Sequence, residues 1–154
     1  MLVNTRYFGE VELDDNKVIT FEKGIIGFEN LRNFTIMYDS TNEKRSEVSW
    51  LQSLEEPMIA LPIINPHSVY PGYNPIVEDE VIANLGELTD DNLIVLVTIT
   101  VPSDLTKMTC NLKAPIIINS TTKKACQVIA ENPEYVIKYN IYELVQKLKE
   151  SKGE

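Results

Sequence analysis

Little in this chain of 154 residues is suited to metal chemistry or covalent catalysis. It holds two cysteines, one histidine and one tryptophan. Two cysteines make no disulfide framework, and no CxxC pair, HExxH pattern or calcium-binding EF-hand loop occurs. Gly24 and Gly27 lie close together but lack the GK[ST] of a phosphate-binding loop. Long apolar runs are missing as well. The longest, Leu93 to Val97, falls far short of the roughly 18 residues of a membrane helix. Met1-Leu2-Val3 is followed at once by Asn4, Thr5 and Arg6, with no room for the apolar region of a signal peptide. Positive charge is scarce too: 14 basic residues stand against 23 acidic ones, a net charge of −9. The closest cationic groupings, Lys44-Arg45 and Lys123-Lys124, are too small to hold a phosphate backbone. These absences lead to the expectation of a cytoplasmic protein with reduced thiols, no direct nucleic-acid contact and no membrane contact. The acidity either keeps the chain soluble or suits a basic partner.

What is present is a series of short extended segments broken by turn residues. Val3, Thr5 and Tyr7 alternate with polar positions, and Val11 and Leu13 resume beyond Gly9, which predicts a bulge or bend there. Asp14-Asp15-Asn16 predicts the turn of an N-terminal hairpin into Lys17–Phe21. Further strands are expected over Phe34–Tyr38, Ser49–Leu54, Met58–Ile64, Leu93–Thr100, Met108–Leu112, Pro115–Asn119 and Ala125–Ile129. Pro62 predicts an edge or a bulge. Residues Asp39–Glu47 are polar and predict an exposed loop, and the proline-rich stretch Asn65–Pro75 predicts an ordered one held by Val69, Tyr70 and Tyr73. Val77–Leu85 fits a short helix or a strand, ended by Gly86. Ile141, Leu144, Val145 and Leu148 fall at helical spacing, with Asn140 and Glu143 placed as an N-terminal cap. The fold class expected is all-β for the most part: a compact antiparallel β-barrel-like single domain over residues 1–154. The barrel occupies about 1–139 and a C-terminal helix about 140–150.

Candidate chemistry is thin. His67, between Pro66 and Ser68, is the one residue around which a nucleophilic arrangement could be built, but no nucleophile-elbow motif accompanies it. Cys110 and Cys126 stand on separate expected strands, either facing each other across a sheet or as buried, unreactive thiols. Asp14-Asp15, Glu55-Glu56 and Asp90-Asp91 all fall at turns. Tyr70 and Tyr73 sit on a proline-stiffened loop followed by Glu78, Asp79 and Glu80. They either anchor a partner beside an acidic rim or fold back onto the barrel while the acids open a helix. Glu55 and Glu56, exposed at their turn, extend the candidate acidic surface. Trp50 is expected in the core rather than at an interface. No catalytic, cofactor or metal site is assigned.

The run Thr5-Arg6-Tyr7-Phe8-Gly9-Glu10-Val11-Glu12 is similar to the opening of the bacterial flagellar assembly factor FliW family. So, in order, are Ile19–Phe21 with Gly24–Glu29, Trp50-Leu51-Gln52-Ser53-Leu54, Thr98–Pro102, Met108–Leu112 with Ala114–Asn119, and Gln127–Ile129. The resemblance covers roughly residues 5 to 130. It departs at Leu61, where an aromatic is expected, and at Ser120, where proline is usual. It implies a non-enzymatic cytoplasmic protein that binds flagellin. It also implies binding to, and antagonism of, the RNA-binding regulator CsrA, so that repression of flagellin synthesis is relieved. A small barrel enzyme using His67 and a barrel enclosing a small apolar ligand remain the alternatives.

Overall fold

The computed structural model describes residues 1–38 and 48–153, with side chains described to Lys147 in the last helix. The expected loop Asp39–Glu47 lies outside the described residues. Seven strands close into a ring: β3 (Ile19–Phe21), β4 (Asn33–Met37), β5 (Val48–Ser53), β6 (Ala60–Ile64), β7 (Leu93–Thr100), β9 (Ile116–Asn119) and β10 (Lys124–Gln127). Ring closure comes from β7 pairing with β9 as well as with β6, and from β10 pairing with β3. That last pairing, Lys124↔Thr20 and Ala125↔Phe21, is parallel, so the expected antiparallel order fails at one seam. A parallel neighbour needs a long connection, and here most of the chain lies between the two strands.

Alternation along the strands decides what lies inside. Ile19, Phe21, Phe34, Leu51, Ile63, Ile116, Ile118 and Ala125 point inward and form one buried cluster. Phe21 and Phe34 meet edge to face at 5.3 Å. Side chains therefore fill the barrel, as small barrels require. The outward face is apolar too, because further parts of the chain cover it. The loop of residues 65–75, the segment around Tyr135 and α2 (Tyr142–Gly153) pack Val69, Tyr73, Tyr135, Ile141 and Val145 against Ile64, Val97 and Ile99. Short α1 (Asp79–Ile82) and the 3-10 turn Ala83–Leu85 bring Leu85 onto Ile117 and Val128. An N-terminal hairpin, β1 (Leu2–Thr5) with β2 (Gly9–Glu12), lies against the β5–β6 region. Coverage on both faces explains why β7 is apolar on both faces from Leu93 to Val97.

Several expectations need correction. The N-terminal hairpin turns at Arg6–Phe8 and not at Asp14–Asn16, and Gly9 (φ 67°) ends that turn, so of the bulge or bend expected there it is the bend that forms. The Asp15–Lys17 turn instead leads into β3, which pairs with β4 and not with β2. Pro62 is not on an outer edge: β6 lies between β5 and β7, but its ladder to β7 begins only at Ile63. The proline thus sits where one neighbour is already absent. The expected strand over Met108–Leu112 shrinks to β8 (Thr109–Cys110), flanked by the unanticipated β11 (Tyr139–Asn140). Within Val77–Leu85 the stretch from Asp79 to Leu85 is helical, and Gly86 closes it at φ 88°. At the last helix, Asn140 Oδ1 accepts a hydrogen bond from the Tyr142 backbone N–H at 3.1 Å, next to the expected start.

Candidate partner-binding surface

Three buried amide side chains fix the coverings that shape the outer surface. Gln52 is 1% exposed, and its Oε1 accepts from the Arg6 backbone N–H at 3.0 Å, docking the N-terminal hairpin. Its Nε2 donates to the carbonyls of Ser53, Pro57 and Ile59, holding the β5–β6 turn. Asn119, fully buried, donates to the carbonyls of Leu85 and Glu87 and accepts from the N–H groups of Thr121 and Thr122. It ties the segment after α1 to the β9–β10 turn. Asn132 accepts from the Ile76 N–H at 2.6 Å and donates to the Asn74 carbonyl, fixing the approach to Glu78. Among the described residues no buried side-chain nitrogen or oxygen lacks a partner, as a well-determined interior demands.

On this frame the acidic candidates are exposed. Glu55 sits in the β5–β6 turn, and its Oε1 accepts from the backbone N–H groups of Arg32 at 2.6 Å and Asn33 at 2.7 Å. It therefore closes the β3–β4 loop as well as offering charge. Glu56 Oε1 accepts from the Met58 N–H at 3.3 Å. Glu78, Asp79 and Glu80 open α1, where carboxylates favour the helix N-terminus. Glu80 lines a small cleft with Glu22, Lys23 and Gln127. Glu55 thus borders the end of the β3–β4 loop and Glu80 its beginning.

The two tyrosines behave differently. Tyr73 is 3% exposed, and its hydroxyl donates to the Leu112 carbonyl at 2.7 Å. Burial pushes its pKa up, with Tyr135 and Cys110 adding to the rise. It is a core residue and not an exposed anchor, because the loop folds back onto β7 and β8. Tyr70 stays half-buried, edge to face with Tyr135 at 5.3 Å and with Tyr139 at 5.5 Å. Ile76, exposed at 55%, sits between this cluster and the acids.

Trp50 corrects a second expectation. It points outward from β5, half-buried, in register with Met37 and Pro62, and its ring lies 4.5 Å from that of Tyr7. The Arg6 guanidinium sits 5.0 Å above the Tyr7 ring. Tyrosine, tryptophan, arginine and the exposed Met58 together have the composition of an interaction surface. Sequence reasoning missed this grouping because the Tyr7–Trp50 contact spans the hairpin and the barrel wall.

His67 is exposed, with Nε2 3.0 Å from the Tyr73 carbonyl. The cysteines do not face each other: Cys110 pairs with Ile99 and Tyr139, Cys126 with Ile117, and both thiols are free. Burial raises the Cys110 thiol to about 12 and the Cys126 thiol to about 11, with Lys23 opposing the latter shift. Among the described residues no three His, Cys, Asp or Glu side chains are grouped to hold a metal ion. No helix among them is long and apolar enough to cross a membrane.

This covered barrel coincides with a known fold. The family model described as FliW protein matches residues 2–141. The chain belongs to the FliW family. It is 52% identical over 155 aligned residues to the flagellar assembly factor FliW of Lachnoclostridium phytofermentans, with 100% of this chain and 99% of that protein covered. The flagellar assembly factor FliW of Lachnospira eligens is 48% identical over 148 residues, with 96% and 98% covered. A crystal structure of the flagellar assembly factor FliW superposes with a TM-score of 0.82 at 28% identity, covering 92% of this chain and 96% of that one. Several residues that carry the FliW resemblance are those that clamp turns. Besides Gln52 and Asn119, Ser53 Oγ accepts from the N–H groups of Glu55 and Glu56, and Asn111 Oδ1 accepts from those of Lys113 and Ala114.

Proposed function

We propose that this chain is a non-enzymatic, cytoplasmic regulatory protein of flagellar assembly. In this reading residues 1–154 work as one FliW-like unit that binds flagellin. The same unit binds a CsrA-type RNA-binding regulator and antagonises it, so that flagellin synthesis is released from repression. Flagellin and the regulator compete for the protein, which lets flagellin export adjust flagellin translation. Neither nucleic acid nor membrane is touched directly.

The observation that carries the reading is the end-to-end likeness to proteins named flagellar assembly factor FliW. Its physical support is the exposure of five acids, Glu55, Glu56, Glu78, Asp79 and Glu80, which suits a basic protein partner. In this reading Tyr70 contributes an aromatic edge, with Tyr73 packed against it. A net charge of −9 accelerates encounter with a cationic partner and repels RNA.

The test is calorimetric titration of the triple charge reversal Glu78→Lys, Asp79→Lys, Glu80→Lys with the purified CsrA-type regulator. These side chains form no ion pair among the described residues, so circular dichroism should stay that of wild type. Affinity should fall about tenfold or more, since desolvated interfacial charge pairs cost roughly 2–5 kcal/mol when broken. Unchanged affinity with an unchanged fold removes the α1 acids from the interface.

A further inference from the structure

We propose that one end of the barrel, where the β9–β10 turn meets the segment entering β3, binds an anionic amphiphile of the medium-chain carboxylate type. The barrel axis itself is filled, so this is not an enclosed ligand cavity. At that end the core surfaces in an open cleft of about 380 Å³. This lies within the roughly 300–1,000 Å³ usual for small-molecule sites. Its floor is aliphatic: Ile19, Ile36, Ile94 and Ile118, all inward-facing residues of the barrel cluster. Ile36 and Ile94 are only half-buried, so apolar area remains there for a ligand to cover.

The two charged side chains lining the rim are both cationic. Lys17 and Lys123 stand on it, and no carboxylate is among the described residues that line the cleft. Acids stand near in the chain, Asp14 and Asp15 before Lys17 and Asp90 and Asp91 before Asn92, whose carbonyl accepts from the Ser120 N–H, but none of them lines the cleft. Lys123 has a left-handed backbone, φ 61°, the one non-glycine residue so strained among those described. Strain of this kind persists only where surrounding structure enforces it, and it often marks a functional position. The turn bends the Lys123 ammonium back so that Nζ donates to the Ser120 carbonyl at 2.6 Å, which fixes the charge beside the cleft. The Lys17 ammonium makes no hydrogen bond or ion pair with another described residue. An ammonium retains donors for a carboxylate, and the isoleucines take the alkyl chain. This inference does not depend on the proposed partners, which are assigned to other residues.

The experiment is a methyl-NMR titration of the full chain with sodium decanoate below its micelle concentration, with decanol as the uncharged control. Saturable shifts should appear at the methyls of Ile19, Ile36, Ile94 and Ile118, with decanol about tenfold weaker. In the double variant Lys17→Gln, Lys123→Asn, decanoate should weaken about tenfold to the level of decanol, whose own affinity should not change. Asparagine tolerates the left-handed backbone, so the turn is retained. Ile94→Trp keeps both lysines but fills the cleft and should abolish binding of both probes. Absence of saturable shifts, shifts confined to other methyls, or equal decanoate affinity in the wild type and the double variant would overturn the proposal.

Discussion

Gln52 shows how one side chain holds two parts of the structure. It receives an N–H from the N-terminal hairpin and supplies its own to the β5–β6 turn. Gln52→Ala should cost about 2–3 kcal/mol in urea unfolding, because truncation leaves the Arg6 N–H and several carbonyls without this partner. A loss under about 0.5 kcal/mol would mean that water replaces the amide freely. The thiols set a second expectation. Burial raises both above the usual 9.0, to about 12 for Cys110 and about 11 for Cys126, so the fold holds them neutral. On unfolding they release protons at the ordinary value. Their stabilising contribution is therefore complete below about pH 9 and declines as the pH rises through 11 to 12. Tyr73, also raised by burial, adds to the same decline. Thermal midpoints should thus fall steeply above about pH 9, and Cys126→Ser should make that fall shallower. An identical slope in the variant would contradict the assignment.

At the level of elements, the N-terminal hairpin is the part least rooted in local sequence. Alternation located its strands, but the turn depended on whether Gly9 or Asp14–Asn16 reversed the chain. Gly9 prevailed because residues 6–8 are brought against Gln52, a contact 46 residues distant. The same distance hid Trp50. Its alternation with Leu51 was visible, but which face was the interior depended on ring closure between β3 and β10. Tyr7→Ala should therefore leave the fold intact and cost about 1 kcal/mol. It should also red-shift Trp50 emission and raise quenching by acrylamide, whereas an unchanged spectrum would dismiss the stacking. By contrast, β7 and the β5–β6 hairpin were legible, because β-branched density and the Glu55-Glu56-Pro57 turn are local signals. The helical state of residues 79–85 was not, since the segment is short and is held by Asn119 from another part of the chain.

For the molecule as a whole, the sequence already contained the barrel class and the family, through an ordered set of segments rather than any single motif. It did not contain the arrangement of the acids. Glu55 is tied to the end of the β3–β4 loop and Glu80 lines a cleft with its beginning, and the separation of the two along the chain gives no hint of that shared neighbour. Nor did it reveal that Tyr73 is consumed by the core while Tyr70 remains at the surface. The molecule is a filled barrel that presents exposed acids on its coverings and two lysines at one end. The central claim is that the acidic protein binds two protein partners in competition. The most direct measurement is calorimetric titration of the purified CsrA-type regulator into this protein, first alone and then with flagellin already bound. The account predicts a defined complex in the first titration and its loss or marked weakening in the second. Absence of heat in both, with flagellin also failing to bind on its own, would contradict it.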